Sequence, residues 1–314
     1  MDLYVITGQT AAGKTKYAYE LAKKLNGELI NFDSRQIYKK LDIITGKERF
    51  KDVKTHLIDF VDPKQYFSSF DFCTKACKAL KQIFKLGKTP IFVGGTYMYI
   101  KHLLYGVETE NIPPNWKLRK KLEKLSIKEL QDSIESLNAQ LINQLNASDR
   151  KNPRRLIRRI EIEMFKNSKI TKIGGSCQRI HSRQCSLLKR SSLRAVGSPF
   201  FFATRQFCIG NNLNIKIIGL RFKNKECLKN AIKKRIEQKI KDGAFQEVKS
   251  LMDKGYNIKD PGLQTIGYKQ IIQYFSGKLT KEQTIEQWVN KEVQYAKRQD
   301  TFMKKDKKIR WKEI

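Results

Sequence analysis

The sequence predicts an α/β fold: a parallel sheet with flanking helices and a helical insertion. Three observations carry that expectation. Short apolar runs alternate with segments of helical periodicity in the order strand, helix, strand, helix, strand. The first run, Leu3 to Thr7, leads directly into Gly8-Gln9-Thr10-Ala11-Ala12-Gly13-Lys14-Thr15, which fits G-x-x-x-x-G-K-[ST] between a strand and a helix. Polar residues that suit chemistry, Asp33 and Thr96, lie just beyond two further strand ends, where open parallel sheets place their active groups. The sheet is thus expected to be of the P-loop nucleoside-triphosphate-hydrolase type.

Each element has its own signal. Lys14 to Lys24 reads as the helix after the glycine turn, and Glu28 to Phe32 as the second strand. Phe70 to Leu86 carries apolar residues at helical spacing and is closed by Gly87, and Pro90 to Val93 forms the next strand before Gly94-Gly95. After Pro113-Pro114, Lys117 to Leu145 reads as polar helices with thin apolar stripes, broken near Ser126. Pro153 suits the first turn of a helix over Arg154 to Phe165. Lys216 to Leu220 is a later strand, followed by helices over 225–242, 244–254, 264–275 and 281–304. The expected division is a core of residues 1–112 and 148–314, with an insertion at 113–147. Residues 176–210 form an atypical stretch, rich in Arg and Cys without a clean period.

Composition narrows the partner. Lys plus Arg total 64 against 31 Asp plus Glu, a formal charge of +33, which implies a polyanion and nucleic acid before any other. The basic residues are spread over several helices instead of forming one basic amphipathic helix, which disfavours a membrane surface. No apolar run is long enough to span a bilayer, and Met1 to Ile6 has no leader pattern, so a cytoplasmic protein is expected. Cys73 and Cys77, one helical turn apart, read as buried core. The remaining cysteines and the three histidines offer no zinc-ligand spacing.

The glycine loop binds phosphate for a physical reason. Backbone N–H groups of residues 8–13 converge on phosphate oxygens, the helix N-terminus adds positive potential, Lys14 supplies a point charge and Thr15 a hydroxyl for Mg²⁺. The loop does not name the phosphate compound. A phosphoryl-transfer enzyme would add a second acid, for which Asp59 and Asp62 are candidates.

Asp33-Ser34-Arg35-Gln36-Ile37-Tyr38-Lys39 after the loop resembles the tRNA dimethylallyltransferase (isopentenyltransferase) family. So do Thr45-Gly46-Lys47, Gly94-Gly95-Thr96-Tyr97-Met98-Tyr99, Asn152 to Glu161, Gln264 to Gln270 and Tyr295-Ala296-Lys297-Arg298-Gln299. The likeness spans nearly the whole chain outside 176–210. It implies transfer of a dimethylallyl group from dimethylallyl diphosphate to N6 of adenosine 37 beside the tRNA anticodon, with release of diphosphate. By the same resemblance Gly8 to Thr15 and Arg235 hold the diphosphate, Thr15 and Mg²⁺ assist, Thr96 hydrogen-bonds near the bridging oxygen, and Asp33 takes the N6 proton. Asp33, Ser34, Arg35, Gln36 and Thr96 then surround a base flipped out of its stack. Arg154, Arg155, Leu156, Ile157 and Arg158 are implied to meet the anticodon stem-loop and Arg119 to lie near the tRNA, with Gln264, Thr265, Ile266, Gly267, Tyr268, Lys269, Lys297 and Arg298 as further tRNA contacts. A monomer is the implied state. The chain departs from the family at Gln9, where proline is usual, at Ala231, where an arginine is usual, and at Phe302, where tryptophan is usual; Arg221 and Lys234 are the nearest replacements for the arginine. A P-loop kinase acting on a nucleotide or small molecule and a non-catalytic tRNA-binding protein with a degenerate P-loop are the alternatives.

Overall fold

The computed structural model describes residues 2–106, 109, 112–174 and 213–314; the stretch 176–210 lies outside them. The chain forms two compact units, one of Met1–Tyr105 with Arg205–Ile314 and one of Gly106–Thr204.

The first unit is built on six parallel strands, β1 (Asp2–Gly8), β2 (Gly27–Asn31), β3 (Thr55–His56), β4 (Thr89–Val93), β5 (Asn214–Arg221) and β6 (Ile309–Glu313), in the order β3-β2-β4-β1-β5-β6. Helices α1 (Lys14–Lys24), α2 (Ser69–Lys85) and α3 (Tyr97–Tyr105) link the N-terminal strands. The C-terminal half adds α9 (Lys225–Lys241), α10 (Ala244–Asp253), α11 (Tyr268–Phe275) and α12 (Lys281–Met303). Leu3, Val5, Ile6, Leu29, Ile30, Ile91 and Phe92 have almost no exposed surface, as expected of parallel strands covered on both faces. The expected parallel α/β sheet is therefore present.

Register explains why distant motifs meet. Tyr4 pairs with Ile91 and Ile6 with Val93, while Asn31 also pairs with Val93. The C-terminal ends of β1, β4 and β2 are thus level and adjacent. Gly8 closes β1, and Gly94 and Asp33 follow the ends of β4 and β2, along one edge of the sheet.

Most expected elements are found with small shifts at their ends. Helix α2 begins one residue early because Ser68 caps it reciprocally with Asp71, and Gly87 ends it at a φ of 67°. Cys73 and Cys77 are buried on its inner face. The helix expected over 264–275 needs correction: Gly262–Gln264 form a single 3₁₀ turn and α11 begins only at Tyr268. Gly267 stands between them at a φ of 96°, and a Cβ there would lie 2.6 Å from Ile44 and 2.8 Å from the Trp288 ring. The chain breaks the helix where only glycine fits. Strands β3 and β6 were not expected. The first is only Thr55–His56, and the second reads IRWKE, whose charged, half-exposed residues suit an edge and hide the strand signal.

The second unit packs α4 (Trp116–Leu122), α5 (Ile127–Leu137), α6 (Ala139–Gln144), α7 (Ala147–Arg150) and α8 (Pro153–Gly174) around Leu122, Leu130, Ile134, Leu141, Leu156, Ile157 and Ile160. The break expected near Ser126 is the N-cap of α5, in a capping box with Glu129. The division drawn from the sequence at 147 falls inside this unit, whose core takes its last three apolar members from α8.

Candidate active site

The glycine loop leaves β1 under tight steric constraint. Gly8 has a φ of 135°, and a Cβ on it would lie 2.0 Å from the Leu220 carbonyl oxygen, so the loop can pass β5 only as glycine. The Gln9 N–H donates to that same carbonyl at 3.1 Å. Gly13, at a φ of 70°, is the N-cap of α1 with no side-chain cap, which leaves the first N–H groups of the helix without a side-chain acceptor at the cap. Lys14 folds over the loop and donates to the Gln9 carbonyl at 2.6 Å. Burial, and then the Arg235 guanidinium, bring its ammonium down to about 8. Thr15 follows in the first turn, half-buried. Among the described residues no cluster of three or more His, Cys, Asp or Glu is placed to hold a metal. One hydroxyl at a phosphate loop fits Mg²⁺, which takes few protein ligands and is otherwise held by phosphate and water.

Asp33 is fixed rather than free to swing. Its backbone N–H donates to Asn31 Oδ1 at 3.0 Å, and its own Oδ1 accepts the Arg35 N–H at 2.8 Å. Asn31 is buried and also donates to the Leu57 carbonyl at 2.9 Å. Gly94 permits the close approach, since a Cβ there would sit 2.8 Å from the Asp33 nitrogen. One carboxylate oxygen thus holds the turn, and Oδ2 lies 3.7 Å from where a Cβ on Gly95 would stand. Thr96 Oγ1 accepts the Ser34 N–H at 3.0 Å and donates to Ser34 Oγ at 3.1 Å, so the β2 and β4 ends are tied at this point. Tyr295 from α12 stands beside them: burial first, then the Asp33 charge, push its phenol up, and Thr96 hydrogen-bonds to it.

Three contacts at the loop were invisible in the sequence. Gln299 of α12 accepts the Thr10 N–H at 2.9 Å and donates to the Gly95 carbonyl at 2.9 Å, so one buried amide joins the phosphate loop to the Thr96 turn. Gln9 Oε1 accepts the Phe222 N–H at 2.9 Å, so this side chain, not required for a phosphate cradle, fastens the loop to the end of β5. Arg235 reaches the loop as expected, donating to Thr10 Oγ1 at 3.0 Å. Arg221 instead pairs with Glu313 at 2.6 Å, and Lys234 lies on the exposed side of α9. The buried cation of that helix is Lys239, which the sequence reading passed over.

Other expected residues divide by burial. Arg35 donates to the Pro261 carbonyl at 3.3 Å, and Gln36 to the Thr45 and Gly46 carbonyls at 3.2 and 3.0 Å. Thr265, Gly267 and Tyr268 are buried, and Thr265 gives its hydroxyl proton to the Gly262 carbonyl at 2.6 Å. Gln264, Ile266 and Lys269 are half-buried, and Lys297 and Arg298 are exposed on α12. In the second unit Leu156 and Ile157 face the core, whereas Arg154 and Arg155 face solvent, Arg155 pairing with Asp149. Arg119 and Arg158 converge on the buried Glu161 carboxylate, Arg119 at 2.6 Å. Arg158 also donates to the Ile112 carbonyl at 2.9 Å. Burial would raise the Glu161 carboxyl, but hydrogen bonds from Arg119, Arg158 and the Asn115 N–H together hold it below its ordinary value.

Comparison with known proteins finds relatives along nearly the whole chain. A family profile described as IPP transferase matches residues 36–306, and one described as isopentenyl transferase matches residues 1–63. A tRNA dimethylallyltransferase from Anoxybacillus flavithermus is 34% identical over 311 residues, covering 98% of this chain and 88% of its own. One from Thermoanaerobacter sp. is 30% identical, covering 99% and 91%. Among solved structures, a tRNA isopentenylpyrophosphate transferase from Bacillus halodurans superposes with a TM-score of 0.65 at 28% identity, covering 99% of this chain and 89% of its own. A eukaryotic dimethylallyltransferase acting on tRNA shares the fold with a TM-score of 0.73 at 24% identity, covering 99% and 73%.

Proposed function

The chain belongs to the IPP transferase family, and from that footing we propose that it transfers the dimethylallyl group of dimethylallyl diphosphate to N6 of adenosine 37 in tRNA. The observation that carries the reading is the shared sheet edge: β1, β4 and β2 end level with one another, so a phosphate loop, Thr96 and Asp33 stand side by side.

The chemistry follows from that arrangement. The N6 lone pair forms a bond to C1 of the dimethylallyl group while the C1–O bond breaks, and the electron pair leaves with the diphosphate. Negative charge grows on the departing oxygens, where loop N–H groups, Lys14 and Arg235 stabilise it. Thr15 would hold Mg²⁺, which supplies further charge neutralisation when bound. Asp33 Oδ2 accepts the N6 proton, so the product is a neutral secondary amine. Ser34, Arg35 and Gln36, on the turn that Asp33 opens, surround the flipped adenine.

The anionic partner matches the +33 charge, and the anticodon stem-loop is proposed to meet Arg119, Arg154, Arg155 and Arg158, together with Gln264 to Lys269, Lys297 and Arg298. Arg155→Ala is expected to weaken RNA binding and to reduce the slope of log affinity against log salt by about 0.7 to 0.9, one phosphate contact, in filter binding. Arg158→Ala should do the same and also lower the melting temperature, because Glu161 would remain buried with one fewer donor. An unchanged salt slope for both variants would exclude these contacts.

The decisive assay incubates the protein with unmodified tRNA, Mg²⁺ and either dimethylallyl diphosphate or ATP, then digests the RNA for mass spectrometry. An adenosine heavier by one C₅H₈ unit, formed only with the prenyl donor, is the expected result. Phosphorylated product from ATP would point to a kinase instead.

A further inference from the structure

Lys239 is a buried cation that the reaction does not use. Helix α9 turns it inward, 7% exposed, with its ammonium 5.8 Å from the centre of the Trp288 ring. It donates to the Ile44 carbonyl at 2.6 Å. Ile44 lies in the short loop 42–46, which carries no strand or helix of its own.

That loop is gripped on both kinds of backbone group. The Glu247 carboxylate accepts the N–H groups of Asp42, Ile43 and Ile44 at 2.8, 2.7 and 3.3 Å, and the Tyr268 hydroxyl donates to the same carboxylate. Lys239 holds a carbonyl of the same loop. The next two carbonyls, Thr45 and Gly46, both accept from Gln36 Nε2. A primary amide nitrogen has two protons, so both are used. The orientation of the amide is fixed by this, because a reversed amide would set its oxygen against two carbonyls. Gln36 is left with Oε1 as its acceptor, on the turn that also carries Asp33.

We propose that Lys239 is a positioning residue for prenyl transfer: it pins loop 42–46, whose carbonyls aim Gln36 Oε1 at the second N6 proton of the acceptor adenine. The role of Gln36 rests on the function proposed above, whereas the grip on the loop does not. An amine in this place is otherwise hard to explain, since an apolar chain of equal length would fill the volume without desolvating a charge. Burial, then Arg235 on the same helix, bring its pKa down to about 7, while Glu292 of α12, Asp33 and Glu247 of α10 act in the opposite sense. Both protonation states keep an N–H for the Ile44 carbonyl, so the grip outlasts the titration.

A double-mutant cycle on the full-length protein tests this, using Lys239→Met, Gln36→Ala and the pair, with an unmodified anticodon stem-loop RNA and dimethylallyl diphosphate. Lys239→Met is expected to lower kcat/KM for RNA about tenfold. KM for dimethylallyl diphosphate and the melting temperature should stay near wild type, which a merely structural residue would not predict. In the Gln36→Ala background the same change should have less than about a twofold effect, because Lys239 acts through Gln36. If Lys239→Met melts below wild type, Lys239→Gln, which keeps a donor, replaces it in the cycle. Additive effects, or a Lys239 variant with wild-type kcat/KM for RNA, overturn the proposal while leaving the prenyl-transfer reading intact. A wild-type protein that transfers no prenyl group overturns both.

Discussion

Replacing Asp33 with alanine is expected to slow prenyl transfer by about 10²- to 10⁴-fold with little change in tRNA affinity. In the proposed mechanism the two oxygens of this carboxylate have separate duties, and that separation supplies the control. Oδ1 accepts the Arg35 N–H at 2.8 Å and so holds the turn that carries Ser34, Arg35 and Gln36. Asn keeps an acceptor at that position but cannot take a proton. Asp33→Asn should therefore retain the melting temperature and RNA binding of the wild type and be nearly as slow as Asp33→Ala in single-turnover transfer. Alanine should in addition lose about 1 kcal/mol of stability with the turn bond. A rate within threefold of wild type for the asparagine variant would remove Asp33 as the base.

Gly8→Ala is expected to abolish detectable dimethylallyl diphosphate binding and to destabilise the protein by about 3 kcal/mol or more. The new methyl would meet the Leu220 carbonyl oxygen at 2.0 Å, and the three Leu220 atoms nearest to it are all backbone. No rotamer relieves that clash; either β1 and β5 part or the loop is re-formed. Because Tyr4 to Gly8 are paired with Lys216 to Leu220, parting the strands disrupts the sheet centre. Gly13→Ala is the contrasting case. Its φ of 70° is unfavourable for alanine, yet nothing lies within 4 Å of a Cβ there, so a smaller loss of about 1 kcal/mol is expected. Thermal melting and isothermal titration with the diphosphate would rank the two, and equal effects would contradict the steric argument.

How much of this was legible in the residues depends on the distance over which each contact acts. The glycine loop is local: its spacing, the strand before it and the helix after it lie within a few residues, so its place was readable. Asp33 and Thr96 were readable because strand ends are marked by where apolar runs stop. Gln299, Asn31 and Lys239 were not, since each acts through a hydrogen bond to a carbonyl or amide that only the tertiary fold brings near. Gln9 shows in the sequence only as a departure from the usual proline, and its side-chain partner, the Phe222 N–H, is 213 positions away. The motif from Asn152 to Glu161 was read for its arginines, whereas its acid is what organises them: Glu161 sits under Arg119 and Arg158. Gly267 was read as part of a helix, since a positive φ leaves no mark in hydrophobic periodicity.

The Gln299 amide links the first motif of the chain to the last helix. Its partners, the Thr10 N–H and the Gly95 carbonyl, lie 289 and 204 positions away from it along the chain. Strand β1 likewise waits for β5 across most of the polypeptide. A chain cut before position 299 would keep the phosphate loop and the Thr96 turn but lose the amide that joins them.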